Sequence, residues 1–228
     1  MNVAIVVAAG KGTRLGGDRP KQFLELAGVP VIIHTLRQFE RSKQIREVIT
    51  VLPADDMAGF ESLAEKFELS KVRRVVAGGT TRAQSVRNGL NAIVEADIVA
   101  VHDGVRPFVT PEEIDEVIAA AEKFGAAILT APVADTIKRV KADRIVETIS
   151  RAELRRALTP QCFRFDILKR AYEQLDELES AGLEITDESM LAEQLGIKIV
   201  SVNGNPRNIK ITTEDDLAVA SRLLTTDY

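Results

Sequence analysis

Apolar and polar positions follow two rhythms along the chain. Short runs rich in apolar residues at Val3–Ala8, Val48–Leu52, Val72–Ala77, Ile98–His102, Ala127–Ala131 and Ile197–Val202 read as buried strands. Between them apolar residues recur at helical spacing. The expected helices are Val31–Phe39 (opened by Pro30), Asp55–Phe67, one carrying Ala83, Val86, Leu90, Ile93 and Val94, Pro111–Phe124, Phe165–Glu179, Asp187–Leu195 and Thr213–Leu224. Thr212 or Thr213 stands where the last helix needs an N-cap, with acidic residues in the following turn. The alternation predicts a single α/β domain over residues 1–228. Its core would be a Rossmann-like, mostly parallel sheet covered by helices on both faces.

The rhythm breaks at Asp135–Ile149. Thr136–Val140 and Arg144–Ile149 are both β-prone, and the polar turn Lys141-Ala142-Asp143 separates them. This predicts a protruding β-hairpin arm, within about residues 133–158. Charges on both faces suit a solvated arm or one that packs on a second subunit.

Composition narrows the function. Aromatic residues make up 4% of the chain and Trp is absent, which argues against a stacking platform for single-stranded nucleic acid. The net charge of -4 argues against any polymeric nucleic-acid partner. Cys162 is the one cysteine, so neither an intrachain disulfide nor a cysteine zinc cluster is expected. It reads as a small buried hydrophobe in a protein of a reducing, cytoplasmic compartment. The apolar start is too short for a signal peptide, and no run approaches membrane-spanning length.

The densest chemistry lies after the first strand. Ala8-Ala9-Gly10-Lys11-Gly12-Thr13-Arg14-Leu15 runs into Gly16-Gly17, and residues 1–22 carry Lys11, Arg14, Arg19 and Lys21 against Asp18 alone. Glycines let backbone N–H groups approach phosphate, and a basic start on an acidic chain marks a focused anion site. The dinucleotide fingerprint fails at Leu15, where it needs a third glycine, and no Walker-type loop is present.

That loop together with Pro20-Lys21-Gln22 resembles the opening of sugar-phosphate and polyol-phosphate nucleotidyltransferases. Further motifs follow: Val101-His102-Asp103-Gly104-Val105-Arg106-Pro107, Ala131-Pro132-Val133-Ala134-Asp135-Thr136-Ile137-Lys138, Leu158-Thr159-Pro160-Gln161, Thr186-Asp187-Glu188 and Asn208-Ile209-Lys210-Ile211-Thr212. In this order and spacing, over almost the whole chain, they resemble the 2-C-methyl-D-erythritol 4-phosphate cytidylyltransferase family of the non-mevalonate isoprenoid pathway. The resemblance implies transfer of a cytidylyl group from CTP to a polyol phosphate with release of pyrophosphate. Ribitol 5-phosphate as acceptor and a non-catalytic nucleotide sensor stand as alternatives.

The resemblance also implies roles. Arg14, Lys21 and Lys210 would be catalytic, stabilising charge at the α-phosphate and on the leaving pyrophosphate. Ala8, Ala9, Gly10, Gly12, Gly79, Thr80, Ser85 and Asp103 would join them in binding the nucleotide. Family members often carry an acidic residue where this chain has Thr80, so a backbone contact is the safer expectation there. Asp103, Arg106, Thr136, Arg151, Thr159 and Lys210 would bind the acceptor, with Arg151 and Thr159 reaching the active site of a partner subunit in a homodimer. Asp103 would help hold Mg²⁺ or another divalent cation. His102 is expected to be structural.

Overall fold

The computed structural model describes residues 1–10 and 20–226. Its main sheet has seven strands: β1 (Asn2–Val7), β4 (Ile45–Leu52), β5 (Val72–Ala77), β6 (Ile98–Asp103), β7 (Ala126–Pro132), β10 (Arg155–Arg164) and β11 (Val200–Asn203). They lie in the order β11-β7-β10-β6-β1-β4-β5. All ladders are parallel except those of β10 with β6 and β7. Two small antiparallel pairs stand apart, β2 (Glu25–Leu26) with β3 (Val29–Pro30), and β8 (Ile137–Lys141) with β9 (Arg144–Ile149).

Strand residues alternate between two cores because successive side chains point to opposite faces of the sheet. Ala4, Val6 and Ala8 face a cluster containing Phe39 of α1 (Val31–Arg41), Phe60 of α2 (Met57–Lys66) and Ile114, Val117 and Ile118 of α4 (Pro111–Phe124). Val3 and Ile5 face the opposite cluster. It draws Val86 and Leu90 from α3 (Arg82–Asn91), Leu168 from α5 (Phe165–Glu173), Leu175 from α6 (Leu175–Ser180) and Leu191 from α7 (Glu188–Gln194). Each fully buried Leu, Ile or Phe contributes roughly 1.5–3 kcal/mol. The closing helix α8 (Glu214–Thr226) packs through Ala220 on a smaller cluster with Leu26, Val31, Val105 and Ile211. No helix among the described residues is long and apolar enough to cross a membrane.

Local signals explain the element ends. α4 starts with a full capping box between Thr110 and Glu113, with Pro111 in its first turn, and ends at Gly125 with φ 92°. Thr213 caps α8 by accepting from the Asp216 N–H at 3.2 Å.

Several expectations shift. The helix expected over Phe165–Glu179 breaks at Gln174, which buries Leu175 completely and lets Glu179 reach Thr81 and Gln84. Val94 lies beyond α3 and is exposed, because the chain turns after Asn91 through Ala92 and Ile93 N–H bonds to Gly89 and Leu90. The last strand begins only at Val200, where pairing with Ala127 begins.

β10 is the element the hydrophobic pattern did not announce. Pro160 lies within it, and proline is ordinarily excluded from a central strand. Here the register with β7 jumps from Ala157 to Gln161, so Pro160 falls in the irregularity, where no ladder bond needs its missing N–H. Arg155–Leu158, expected at the base of the arm, therefore belong to the main sheet.

Candidate active site

In an open α/β sheet, ligands bind beyond the carboxyl ends of strands, where the chain order reverses. From β1 the chain runs outward through β4 and β5, then returns to β6 on the other side of β1. A cavity of about 620 Å³ opens at this point. Its walls are Val7–Gly10 after β1, Gly78–Arg82 and Ser85 after β5, Asp103 and Val105 at the end of β6, and Lys21, Gln22 and Lys210 from two loops.

Two glycines make the walls close. A Cβ on Gly78 would lie 2.2 Å from the Cβ of Ala9, and one on Gly104 would lie 2.8 Å from the Cβ of Ala8. Only a residue without a Cβ lets the loops after β5 and β6 press against the exit of β1. The turn before α3 is held by its cap. Thr81 accepts from Gln84 N–H, while Ser85 Oγ accepts from Gly79 N–H at 3.0 Å and donates to Thr81 O at 2.9 Å.

Asp103 is the electrostatic centre. It is 5% exposed, and three cations converge on it. Arg82 Nε lies 3.0 Å from Oδ1, while Lys210 Nζ at 3.0 Å and Arg106 Nε at 3.3 Å face Oδ2. Burial alone would raise the Asp103 pKa, but Arg82, Lys210 and Arg106 outweigh it and hold the carboxyl well below the usual range. Asp103 and the Glu188 carboxylate that also pairs with Arg82 are two anions against three cations, which leaves a net positive charge suited to an anionic ligand.

A hydrogen-bonded chain fixes this residue from below. The Asp103 N–H donates to Thr159 Oγ1 at 3.2 Å, and Thr159 Oγ1 lies 3.0 Å from His102 Nδ1. His102 Nε2 lies 3.1 Å from the Arg106 carbonyl, so the ring donates there and accepts from Thr159. Burial pushes the His102 pKa down to about 3, and the ring stays neutral. Asn208 completes the floor, donating to the Thr159 carbonyl and accepting from Arg106 Nη1, both at 2.9 Å.

The cavity thus gathers Ala8, Ala9, Gly10, Lys21, Gly79, Thr80, Ser85, Asp103 and Lys210. Gly12 and Arg14 lie outside the described residues. Thr136 and Arg151 are exposed and do not line the cavity, and Arg151 donates to the Ala134 carbonyl. Thr159, expected to reach another subunit, is buried with its hydroxyl committed to Asp103 and His102 of its own chain.

Asp103 also fits poorly as a metal ligand. Both its oxygens are taken by cations, a further cation would be repelled, and no group of three or more His, Cys, Asp or Glu is arranged to hold an ion among the described residues.

Sequence reasoning missed Arg82 and Glu188 as site residues, although Glu188 stands in a motif quoted above and Arg82 lies between the expected contacts Thr80 and Ser85. Arg82 lines the cavity and chelates the fully buried Glu188 through Nη1 at 2.7 Å and Nη2 at 3.1 Å. It also missed Gln22, which is buried at the cavity wall with neither amide atom hydrogen-bonded. No spacing rule links residues so far apart.

A glycine-walled, cationic cavity at the switch point of an open α/β sheet defines a protein that handles a phosphorylated nucleotide. Comparisons make this particular. The sequence profile of the family described as IspD, 2-C-methyl-D-erythritol 4-phosphate cytidylyltransferase, matches residues 2–226. A cytidylyltransferase of that name from Syntrophus aciditrophicus (strain SB) is 44% identical over 225 residues, covering 97% of this chain and 95% of the relative. One from Bacillus mycoides (strain KBAB4) is 40% identical, covering 98% of each. The crystal structure of 4-diphosphocytidyl-2C-methyl-D-erythritol synthase from Anaerococcus prevotii DSM 20548 superposes with a TM-score of 0.85 at 32% identity, over 98% of this chain and 96% of that one. The chain belongs to the 2-C-methyl-D-erythritol 4-phosphate cytidylyltransferase family, and so to the nucleotidyltransferases.

Proposed function

We propose that this cavity transfers a cytidylyl group from CTP to 2-C-methyl-D-erythritol 4-phosphate, giving 4-diphosphocytidyl-2-C-methyl-D-erythritol and pyrophosphate for isoprenoid precursor synthesis. The observation that carries the reading is the convergence of a glycine-rich backbone wall with Lys21, Arg82 and Lys210 on one cavity. The attacking oxygen belongs to a phosphate monoester whose second pKa is about 6, so it is already ionised near neutrality and needs no general base. This agrees with a site whose only histidine, His102, is locked neutral beneath Asp103. The task left to the protein is electrostatic. Two anions must approach, and charge builds on the α-phosphate and the leaving pyrophosphate.

Ala8, Ala9 and Gly10 hold the triphosphate through backbone groups, with Gly12 continuing that loop. Gly79, Thr80 and Ser85 line the cytosine and ribose end. Thr80 offers acceptors alone, its carbonyl and its hydroxyl oxygen, because its N–H and its hydroxyl hydrogen are both turned onto Gln84 Oε1. Arg14, Lys21 and Lys210 stabilise the pentacoordinate phosphate. Asp103 and Arg106, together with Lys210, orient the acceptor. A divalent cation enters with the nucleotide's own phosphates and not as a ligand of Asp103.

Thr136 and Arg151 complete the acceptor site of a second copy of the chain. In support, both are exposed and absent from their own cavity, and the adjoining hairpin exposes Val140, Ile145 and Val146. Pyrophosphate release from each of the common nucleoside triphosphates, with methylerythritol phosphate or ribitol 5-phosphate as acceptor, tests the assignment. Equal or greater release with another nucleotide or acceptor would overturn it.

A further inference from the structure

Arg82 and Glu188 form the only pairing around the cavity, among the described residues, in which a cavity cation is chelated by a carboxylate with no exposure to solvent. Burying a carboxylate costs several kcal/mol unless it is paired and hydrogen-bonded. Glu188 meets that condition fully. It accepts from both outer nitrogens of Arg82, and Tyr172 Oη donates to its Oε1 at 3.0 Å. Burial works against the charge on Arg82, but Glu188 and then Asp103 outweigh it and keep the guanidinium protonated.

The geometry has a consequence for Asp103. Held along its outer edge by Glu188, Arg82 is oriented so that it meets Asp103 through Nε, and that bond takes Oδ1 alone. Oδ2 is left to Lys210 and Arg106. A guanidinium free to turn frequently takes both oxygens of a carboxylate in parallel. We propose that Glu188 is a positioning residue for the transfer reaction: by holding the outer edge of Arg82 it divides the two oxygens of Asp103, and so sets where Lys210 and Arg106 meet the acceptor phosphate. The assignment of Lys210 and Arg106 to the acceptor rests on the functional reading above.

Glu188→Gln keeps the shape and removes the charge. The expected result is a rise of about ten-fold or more in KM for the acceptor, the scale of a lost charged hydrogen bond, with KM for CTP changed less than about two-fold. Tyr172→Phe removes one hydrogen bond from Glu188 and leaves its charge. It should lower thermal stability while leaving both KM values near those of the unmodified enzyme. Glu188→Asp keeps the charge and should recover part of the acceptor affinity. If E188Q does not fold, E188D carries the test through the same split between the two KM values.

An unchanged acceptor KM, an equal rise in both KM values, or Y172F matching the kinetics of E188Q would each overturn the proposal. A crystal structure of the variant tests the geometry without any substrate. Arg82 should turn both nitrogens of one edge onto Asp103, and retention of the single Nε contact would also overturn it. Absence of acceptor-dependent pyrophosphate release by the unmodified enzyme is a separate outcome. It would defeat the functional reading and leave the crystallographic arm standing.

Discussion

At the scale of single residues, the site separates groups that must keep a charge from one that must not gain it. His102 supports Asp103 only while its ring is neutral, since a protonated Nδ1 could not accept from Thr159. Its folded pKa of about 3 lies below the unfolded value of 6.5, so below 6.5 the unfolded chain binds the proton that the folded chain refuses. Stability from this group is complete above 6.5 and is lost as pH falls towards 3, with a slope of up to about 1.4 kcal/mol per pH unit. Urea denaturation at a series of pH values should show this slope, and His102→Gln should flatten it. The flattening should be partial, because burial also lowers the His34 pKa. Lys21 acts on the reaction instead. Lys21→Ala should lower kcat by about 10²-fold or more while the protein stays folded, and near-normal turnover at saturating substrates would remove it from the catalytic set. Both roles were partly legible beforehand. The glycine and lysine pattern marked the loop, and His102 was expected to be structural. Arg106, three residues on, and Lys210 were grouped with Asp103 by the resemblance, but Arg82 was not legible as a partner, because only the sheet brings its segment to Asp103.

At the scale of elements, periodicity located the parallel strands and the helices that cover them, because each such strand is an apolar run between amphipathic helices. It failed at β10, where the proline and three arginines hid a strand whose centre is buried between two others. It also failed at Gln174, where a tertiary contact breaks a continuous amphipathic pattern. The hairpin β8–β9 leaves and re-enters the sheet at one rung, since Pro132 of β7 pairs with Arg155 of β10. Replacing residues 133–154 by Asn-Gly should therefore close β7 and β10 as an ordinary hairpin. The shortened chain should melt cooperatively and bind CTP, but sediment as a monomer and lose acceptor-dependent turnover. A dimer with full turnover would refute the placing of Thr136 and Arg151 in a partner's site.

At the scale of the whole molecule, a chain of net charge -4 carries a cavity lined by Lys21, Arg82 and Lys210. The attraction for a nucleoside triphosphate is thus local, and salt should weaken it, since the screening length falls from about 10 Å at 0.1 M to about 3 Å at 1 M. KM for CTP should rise several-fold over that range while kcat changes little, and steady-state kinetics at graded salt would show it.

The late arrival of β10 shapes the life of the molecule before it is finished. Until residues 155–164 emerge from the ribosome, β6 and β7 cannot be joined, and each presents an open strand edge to its surroundings. A nascent chain of about 130 residues is therefore a sheet of β6, β1, β4 and β5 with β7 left unpaired, and its apolar strands are exposed to other chains. Chains stopped at residue 132 should be recovered with chaperones or in aggregates, while chains extended past residue 203, where β11 ends, should resist protease. The strand that gives Asp103 its floor is also the one that closes the molecule against its neighbours.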